Sequence, residues 1–216
     1  MTVKEAIQKR KTTKRYKDGK EITEAQIATL IDAGHLAPSA NNLQNSKIIV
    51  VKSAAARKEY AQGFEGFNQL NINQSQALFI LVGTPWKMEM LNNGQRIYDA
   101  DIHAYDVSEA KKREFINGIM TYYATFSGYT DSLDIYSSAI QFSFMVLQAT
   151  ELGFDSTPML GIKKNALEKF LLDKGDIKQG ERVNMAFTIG YADSDAPENK
   201  MHGRIRVPKE QIYKIV

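Results

Sequence analysis

The chain contains no cysteine. Disulfides, thiolate metal ligands and thiol nucleophiles are therefore excluded together, and the usage suits the reducing cytoplasm in which we expect the protein to work. No apolar run approaches the roughly 18 residues of a membrane span, and the opening MTVKEAIQKRK lacks the apolar centre of a signal peptide, so no membrane partner is expected. GxGxxG and Walker loops are missing, which removes the usual warrant for a Rossmann dinucleotide site or a P-loop. The three histidines, His35, His103 and His202, stand far apart without ligand-like spacing, and no metal is expected. Residue types for a Ser-His-Asp hydrolase exist, but there is no nucleophile-elbow sequence to organise them. Charge of one sign is scarce as well: 28 basic against 25 acidic residues leave +3, too slight an excess to call for a nucleic-acid partner.

What is present fits one soluble globular domain spanning 1–216, with 43% hydrophobic and 25% charged residues over 216 positions. No internal repeat, low-complexity tract or linker divides it. Thr2 followed by Glu5, and Thr23 followed by Gln26, read as capping boxes that open two helices, with Ile22 and Ile27 placed as a hydrophobic staple on the second. Pro38 marks the end of that helix. The runs Lys47–Lys52 and Ala77–Gly83 read as strands buried on both faces, and Val183–Tyr191 as a third. Between Trp86 and Asp134 the pattern implies a helical excursion, with Phe115, Ile119, Met120 and Tyr123 at near-helical spacing. Ser137–Leu152 is apolar nearly all round, hence a helix buried on most sides, as a dimer core would allow. Asn165–Leu172 reads as an amphipathic helix. The fold class is α+β: helices around one mixed sheet.

Four segments and one pair carry residues suited to chemistry. RKTTKR, Arg10–Arg15, sets two hydroxyls among four cations, as a phosphate would require; a solvated basic face explains it equally when taken alone. Arg204 and Arg206 alternate, so an extended strand would turn both guanidinium groups to one side, and one phosphate could be gripped from both ends of the chain. APSANNLQN, Ala37–Asn45, offers donors and acceptors on Ser39, Asn41, Asn42 and Gln44, or else an ordinary polar turn. FNQLNINQ, Phe67–Gln74, carries amides that match the imide edge of a flavin, or that simply face solvent in a loop. In TPMLG, Thr157–Gly161, Pro158 fixes the chain and Gly161 lets backbone approach a flat ligand, although a plain turn has the same composition.

Taken in order, these segments resemble the nitroreductase family of FMN enzymes over essentially the whole chain. The resemblance implies an intertwined homodimer around a mixed, mainly antiparallel sheet, with the excursion at about 86–134 and a C-terminal extension at about 197–216 embracing the partner subunit. It implies that Arg10 and Thr12 hold the FMN phosphate, that Lys11 between them belongs to the cofactor-binding set, and that Lys14 lies near the flavin pyrimidine as an electrostatic stabiliser. Pro38, Ser39, Ala40, Asn42 and Gln44 would reach the partner's flavin. Asn68 and Asn71 would meet its pyrimidine edge, Pro158, Met159, Leu160 and Gly161 its N5 side, and Arg204 and Arg206 the phosphate. Tyr123 would border the substrate pocket. The sequence departs from the family pattern at Asn45 and Ser46, which replace proline and tryptophan, at Asn71 where close relatives carry lysine, and at Leu160 in place of an acidic residue. No side chain is expected to act as a catalytic residue, since the flavin carries the redox chemistry. NADPH or NADH would supply hydride, and a nitroaromatic, quinone, flavin or pteridine would accept it in a ping-pong cycle. A flavin-sequestering dimer without turnover is the competing expectation.

Overall fold

The computed structural model describes residues 1–17, 19, 21–125, 130–200 and 204–216. His202, residues 126–129 of the expected excursion and residues 201–203 of the C-terminal extension lie outside them.

Local chemistry sets the first two helices. In α1 (Val3–Lys9) the Thr2 hydroxyl accepts the Glu5 amide at 3.2 Å while the Glu5 carboxylate accepts the Thr2 amide at 2.7 Å. Thr23 and Gln26 close the same reciprocal pair at the start of α2 (Glu24–His35). Each box satisfies two of the backbone donors that a helix start leaves unpaired. Ile22 and Ile27 are both buried, as a hydrophobic staple requires. The helix stops at His35, before the backbone restriction imposed by Pro38.

Five strands form the sheet: β1 (Tyr16–Lys17), β2 (Ser46–Val51), β3 (Ala77–Gly83), β4 (Asp155–Met159) and β5 (Arg182–Ala192). Their order is β1-β5-β3-β2, with β4 also on β5, and every pairing of these strands is antiparallel. The parallel component reduces to one isolated bridge between Thr12 and Ser156. β3 is buried along its whole length, as expected of a central strand. β2 departs from that expectation: only Val51 is buried, because β2 pairs with β3 alone and ends the sheet.

Alternation along β3 feeds two cores. Leu78, Ile80 and Val82 pack with Phe64, Ile72, Leu167 and Leu171 on one face. Phe79 and Leu81 pack with Phe187, Ile189, Met145, Val146 and Ala149 on the other, where the Phe79 and Phe187 rings stack at 4.8 Å. Each fully buried phenylalanine contributes roughly 1.5–3 kcal/mol of transfer free energy.

Helices α3 (Ala54–Tyr60), α4 (Gly66–Gln74) and α9 (Lys164–Asp173) cover the first face. α2 and α8 (Leu133–Glu151) cover the second. The excursion supplies α5 (Trp86–Leu91), α6 (Gln95–Ala100) and α7 (Glu109–Thr125), which enclose a small core of their own around Trp86, Ile97, Ile116 and Tyr123. A short α10 (Pro197–Lys200) follows β5.

Three sequence expectations need correction. The amide-rich Phe67–Gln74 segment is a helix rather than a loop, anchored by the buried Ile72. Pro158 and Met159 belong to β4 rather than to a turn; proline is tolerated there because the far side of β4 takes only the Thr12–Ser156 bridge. Arg204 and Arg206 do not lie in a strand. α8 begins four residues before Ser137, and Ile135, Tyr136 and Phe144 stay exposed on it, so one flank has no cover among the described residues.

Candidate functional site

The two ends of the chain meet. Arg204 reaches back to α1, where Nη1 donates to the Ile7 carbonyl at 2.8 Å and Nη2 donates to the carbonyl of Arg10. Carbonyls at a helix C-terminus lack intrahelical donors, so this guanidinium finishes α1 while drawing the C-terminal segment onto it. Burial first, and then the like charges of Arg204 and Arg206, hold the Arg10 guanidinium below its ordinary pKa. Among the described residues no carboxylate pairs with Arg10, Arg204 or Arg206. Three cations gathered without a counter-charge have the donor set of an anion site. Arg204 is spent on backbone, whereas the bond that Arg206 makes among the described residues is to the adjacent Ile205 carbonyl, at 2.7 Å.

A cavity of about 350 Å³ opens beside this cluster, lined by Arg10, Thr12 and Pro158 from the predicted set and by Phe142, Ser143, Val146 and Leu147 of α8. Thr12 and Thr13 run beside β4: the Thr13 amide donates to the Ser156 carbonyl at 3.0 Å, and the Thr157 hydroxyl donates to the Thr13 carbonyl. The hydroxyls of Thr13 and Ser156 are buried without a partner. Lys11 and Lys14 are exposed, and Lys14 Nζ and the Arg15 guanidinium each lie 5.4 Å from the Phe67 ring centre.

From that ring the site continues to β4. Asn68 Nδ2 donates to the Gly161 carbonyl at 3.0 Å, and a Cβ on Gly161 would stand 2.6 Å from the same nitrogen, so glycine is the residue that this approach permits. Leu160 is 78% exposed, whereas the Met159 side chain is buried in the first core, leaving only its backbone for a ligand. Asn71 is completely buried with both amide atoms unpaired. It lies beneath the open site rather than on its surface, and an unpaired buried amide costs about 1–3 kcal/mol unless a water or ligand atom meets it.

The Pro38–Asn45 segment stands elsewhere. Asn41 Nδ2 donates to the Tyr123 hydroxyl at 3.1 Å, Asn42 Nδ2 donates to the Ala100 carbonyl at 3.3 Å, and the Ser39 hydroxyl accepts the Gln44 amide at 2.9 Å. The loop is therefore tied to the excursion, and Pro38 and Ala40 lie exposed on it. Asn41, Asn42 and Gln44 have φ of 46°, 50° and 46°. Three left-handed residues other than glycine in one loop represent stored backbone strain, of the kind held at ligand sites. Asparagine tolerates this region better than most residues, a reason for Asn41 and Asn42 beyond hydrogen bonding. We expect Asn42→Val to destabilise the fold by about 1–2 kcal/mol and Asn42→Gly to be close to neutral, as read from thermal melts. Equal melting temperatures would show that the strain is not there.

The departures at Asn45 and Ser46 have structural roles. Asn45 is buried, its Oδ1 accepts the Ser137 hydroxyl at 2.7 Å, and its backbone carbonyl accepts the Thr84 amide at 2.8 Å. The Ser46 hydroxyl donates to Gln141 Oε1 at 2.8 Å. Both fasten the loop to α8. A larger cleft of about 720 Å³ between this loop and α6 includes only Gln44 of the predicted site residues.

The model of the nitroreductase family matches residues 7–191. The chain belongs to this family. A Staphylococcus aureus relative, provisionally named an NAD(P)H nitroreductase, is 28% identical over 92% of this chain and 90% of its own. The nitroreductase family protein of Streptococcus pneumoniae superposes with a TM-score of 0.79 at 23% identity, covering 100% of both chains. A protein of Exiguobacterium sibiricum, provisionally described as a nitroreductase and solved in complex with FMN, gives a TM-score of 0.79 at 19% identity over 100% of this chain and 98% of that one. At those identities the two structures speak for the nitroreductase fold. No helix among the described residues is long and apolar enough to cross a membrane, and no group of three or more His, Asp or Glu there is placed to hold a metal ion.

Proposed function

We propose that this nitroreductase family member is an FMN-dependent NAD(P)H oxidoreductase acting as a cytoplasmic homodimer. The observation that carries the proposal is the meeting of Arg10, Arg204 and Arg206 beside Thr12 without a counter-charge among the described residues, a donor set that fits the phosphate of a mononucleotide. When bound, FMN would take hydride from NADPH or NADH and pass reducing equivalents to a nitroaromatic, quinone, flavin or pteridine in a second half-reaction.

The chain's own residues divide the remaining work. Arg10, Arg206 and the Thr12 hydroxyl would hold phosphate, with Lys11 adding charge at the rim. Lys14 would lie at the pyrimidine end, where a cation stabilises negative charge developing on the ring. Asn68, already held by the Gly161 carbonyl, would present its Oδ1 to the imide edge. The Pro158–Gly161 backbone would border the reacting side, with exposed Leu160 offering an apolar wall to the acceptor. The loop carrying Pro38, Ser39, Ala40, Asn42 and Gln44 would come from the partner subunit, and Tyr123, fixed by Asn41, would flank the acceptor. Asn71 would act from beneath the surface.

The dimer is supported by apolar surface that a monomer would leave wet: Ile135, Tyr136 and Phe144 on α8, a groove of about 620 Å³ between α1 and α8, and Ile205, Val207, Ile212 and Tyr213 in the C-terminal extension. The test is anaerobic titration of the FMN-loaded protein with NADH and NADPH. We expect the flavin absorbance near its long-wavelength maximum to bleach with one equivalent and to return on adding a quinone or nitrofuran. A protein that binds FMN but does not bleach with either nucleotide would be the sequestering dimer instead.

A further inference from the structure

The anion site is made from two distant stretches of chain, and something must hold them in register before any ligand arrives. Asn199 does this. Its Oδ1 accepts the backbone amides of Lys14 at 2.7 Å and Arg15 at 3.2 Å, and its Nδ2 donates to the Arg15 carbonyl at 2.7 Å and the Asp193 carbonyl at 2.8 Å. The Asp193 amide donates to the same Arg15 carbonyl at 3.0 Å. At this point the backbone has left one partner and not yet gained the next. Thr13 is bonded to Ser156 and Tyr16 pairs with Ala192, so the Lys14 and Arg15 amides have Asn199 where a neighbouring strand would otherwise serve them. Arg15 adds an ion pair with Glu198 at 2.7 Å, one residue along.

We infer that Asn199 is a positioning residue that sets the phosphate end of the site. The inference rests on the FMN reading above and goes beyond it, because Asn199 is assigned no contact with the cofactor. α10 follows β5 and precedes Arg204 by four residues, so the amide clip stands between the strand and the arginines. It pins the C-terminal segment against Lys14–Arg15 while Arg204 pins it against Ile7 and Arg10. The two fasteners hold Arg206 close enough to Arg10 for the like charges to be felt. Keeping cations together without an anion is unfavourable, and hydrogen bonds to backbone are what resist their separation. A side chain with both a double acceptor and a double donor is needed at that position, and asparagine has both.

Phosphate is the part of FMN that riboflavin lacks, so comparing the two ligands isolates this role from general loss of structure. The experiment measures dissociation constants of FMN and riboflavin for the wild-type and Asn199→Ala apoproteins by quenching of flavin fluorescence. We expect FMN to bind about tenfold more weakly to the variant, the factor carried by roughly 1.4 kcal/mol, with riboflavin affinity unchanged. If Asn199→Ala does not fold, Asn199→Asp keeps the oxygen that receives the Lys14 and Arg15 amides, and we expect the preference for FMN over riboflavin to fall in the same direction. A variant retaining the full wild-type preference overturns the inference, as does equal weakening of both ligands. A wild-type protein with no preference for FMN over riboflavin overturns the underlying anion-site reading instead, and the two failures are thereby told apart.

Discussion

Arg206→Ala is expected to weaken FMN binding by roughly tenfold to a hundredfold, since hydrogen bonds to charged groups contribute about 1.5–3 kcal/mol and each 1.4 kcal/mol is a factor of ten. The size follows from the division of labour between the two C-terminal arginines. Arg204 has one nitrogen on the Ile7 carbonyl and another on the Arg10 carbonyl, so its loss would uncap α1 as well as remove a charge. Among the described residues Arg206 makes one bond, to the adjacent Ile205 carbonyl, which leaves its other donors for a ligand. Its replacement should therefore leave the melting temperature of the apoprotein unchanged while lowering FMN affinity. Raising the salt concentration should narrow the difference between wild type and variant, because the site is exposed on the Arg206 side and screening acts on such charges. Fluorescence titrations at low and high ionic strength read both effects. FMN affinity that survives Arg206→Ala intact would remove the C-terminal arm from the site.

What the sequence made legible was whatever has a local signature. Both capping boxes close as expected, because a hydroxyl and a carboxylate or amide three residues apart decide the matter without the rest of the chain. The central strand was readable from its apolar run, since burial on two faces leaves nothing polar to confuse it. β4 was missed because DSTPM has one apolar side chain to bury and a proline, and it is a strand only by virtue of its pairing with β5. α4 was missed for a related reason: it is rich in amides, and Ile72 is the one apolar side chain on it that is fully buried, beside the buried amide Asn71.

The site divides along the same line. Arg10, Thr12, Arg204 and Arg206 were recognisable by residue type, yet the contact that unites them depends on Arg204 reaching 197 residues back to Ile7, for which no spacing rule exists. In the sequence Asn41 and Asn42 read as donors and acceptors for a ligand or as part of an ordinary polar turn, and the structure shows both with left-handed backbone and with side chains that donate to Tyr123 and Ala100. Asn199 gave no signal at all, being one amide in a four-residue helix whose partners lie on another part of the chain. The same is true of Asp134, which has Asp131 as its one charged neighbour in a long uncharged stretch of sequence and is wholly buried in the fold.

Asp134→Ala is expected to lower stability by about 3 kcal/mol, the lower end of the range for removing one partner of a buried ion pair. Asp134 stands in the first turn of α8 with no exposed surface. Its Oδ2 accepts Arg182 Nε at 2.8 Å and Asn184 Nδ2 at 3.0 Å, and its Oδ1 accepts Arg182 Nη2 at 2.7 Å. Loss of the carboxylate would strand the Arg182 guanidinium at the start of β5, whereas Asn184 Nδ2 keeps the Asp134 carbonyl at 3.1 Å and the Ser138 hydroxyl at 3.0 Å. Arg182 is 26% exposed and can turn part of its charge to water, which is why the lower end applies. The hydrogen bond to Asp134, outweighing the effect of burial, holds the Arg182 pKa above its ordinary value, so its contribution is present below the unfolded-state pKa and is lost only as pH rises through the folded one. Within the neutral range the destabilisation should therefore not vary with the state of Arg182. For a domain of this length roughly 2–4 °C is lost per kcal/mol, giving a fall of about 6–12 °C in melting temperature. Because the carboxylate ties the end of the excursion to the sheet beside Gly83 and Asn184, amide exchange should rise first around residues 131–138 and 182–184. A variant melting within a degree or so of wild type, or one whose exchange rises uniformly, would show that this cluster does not anchor α8.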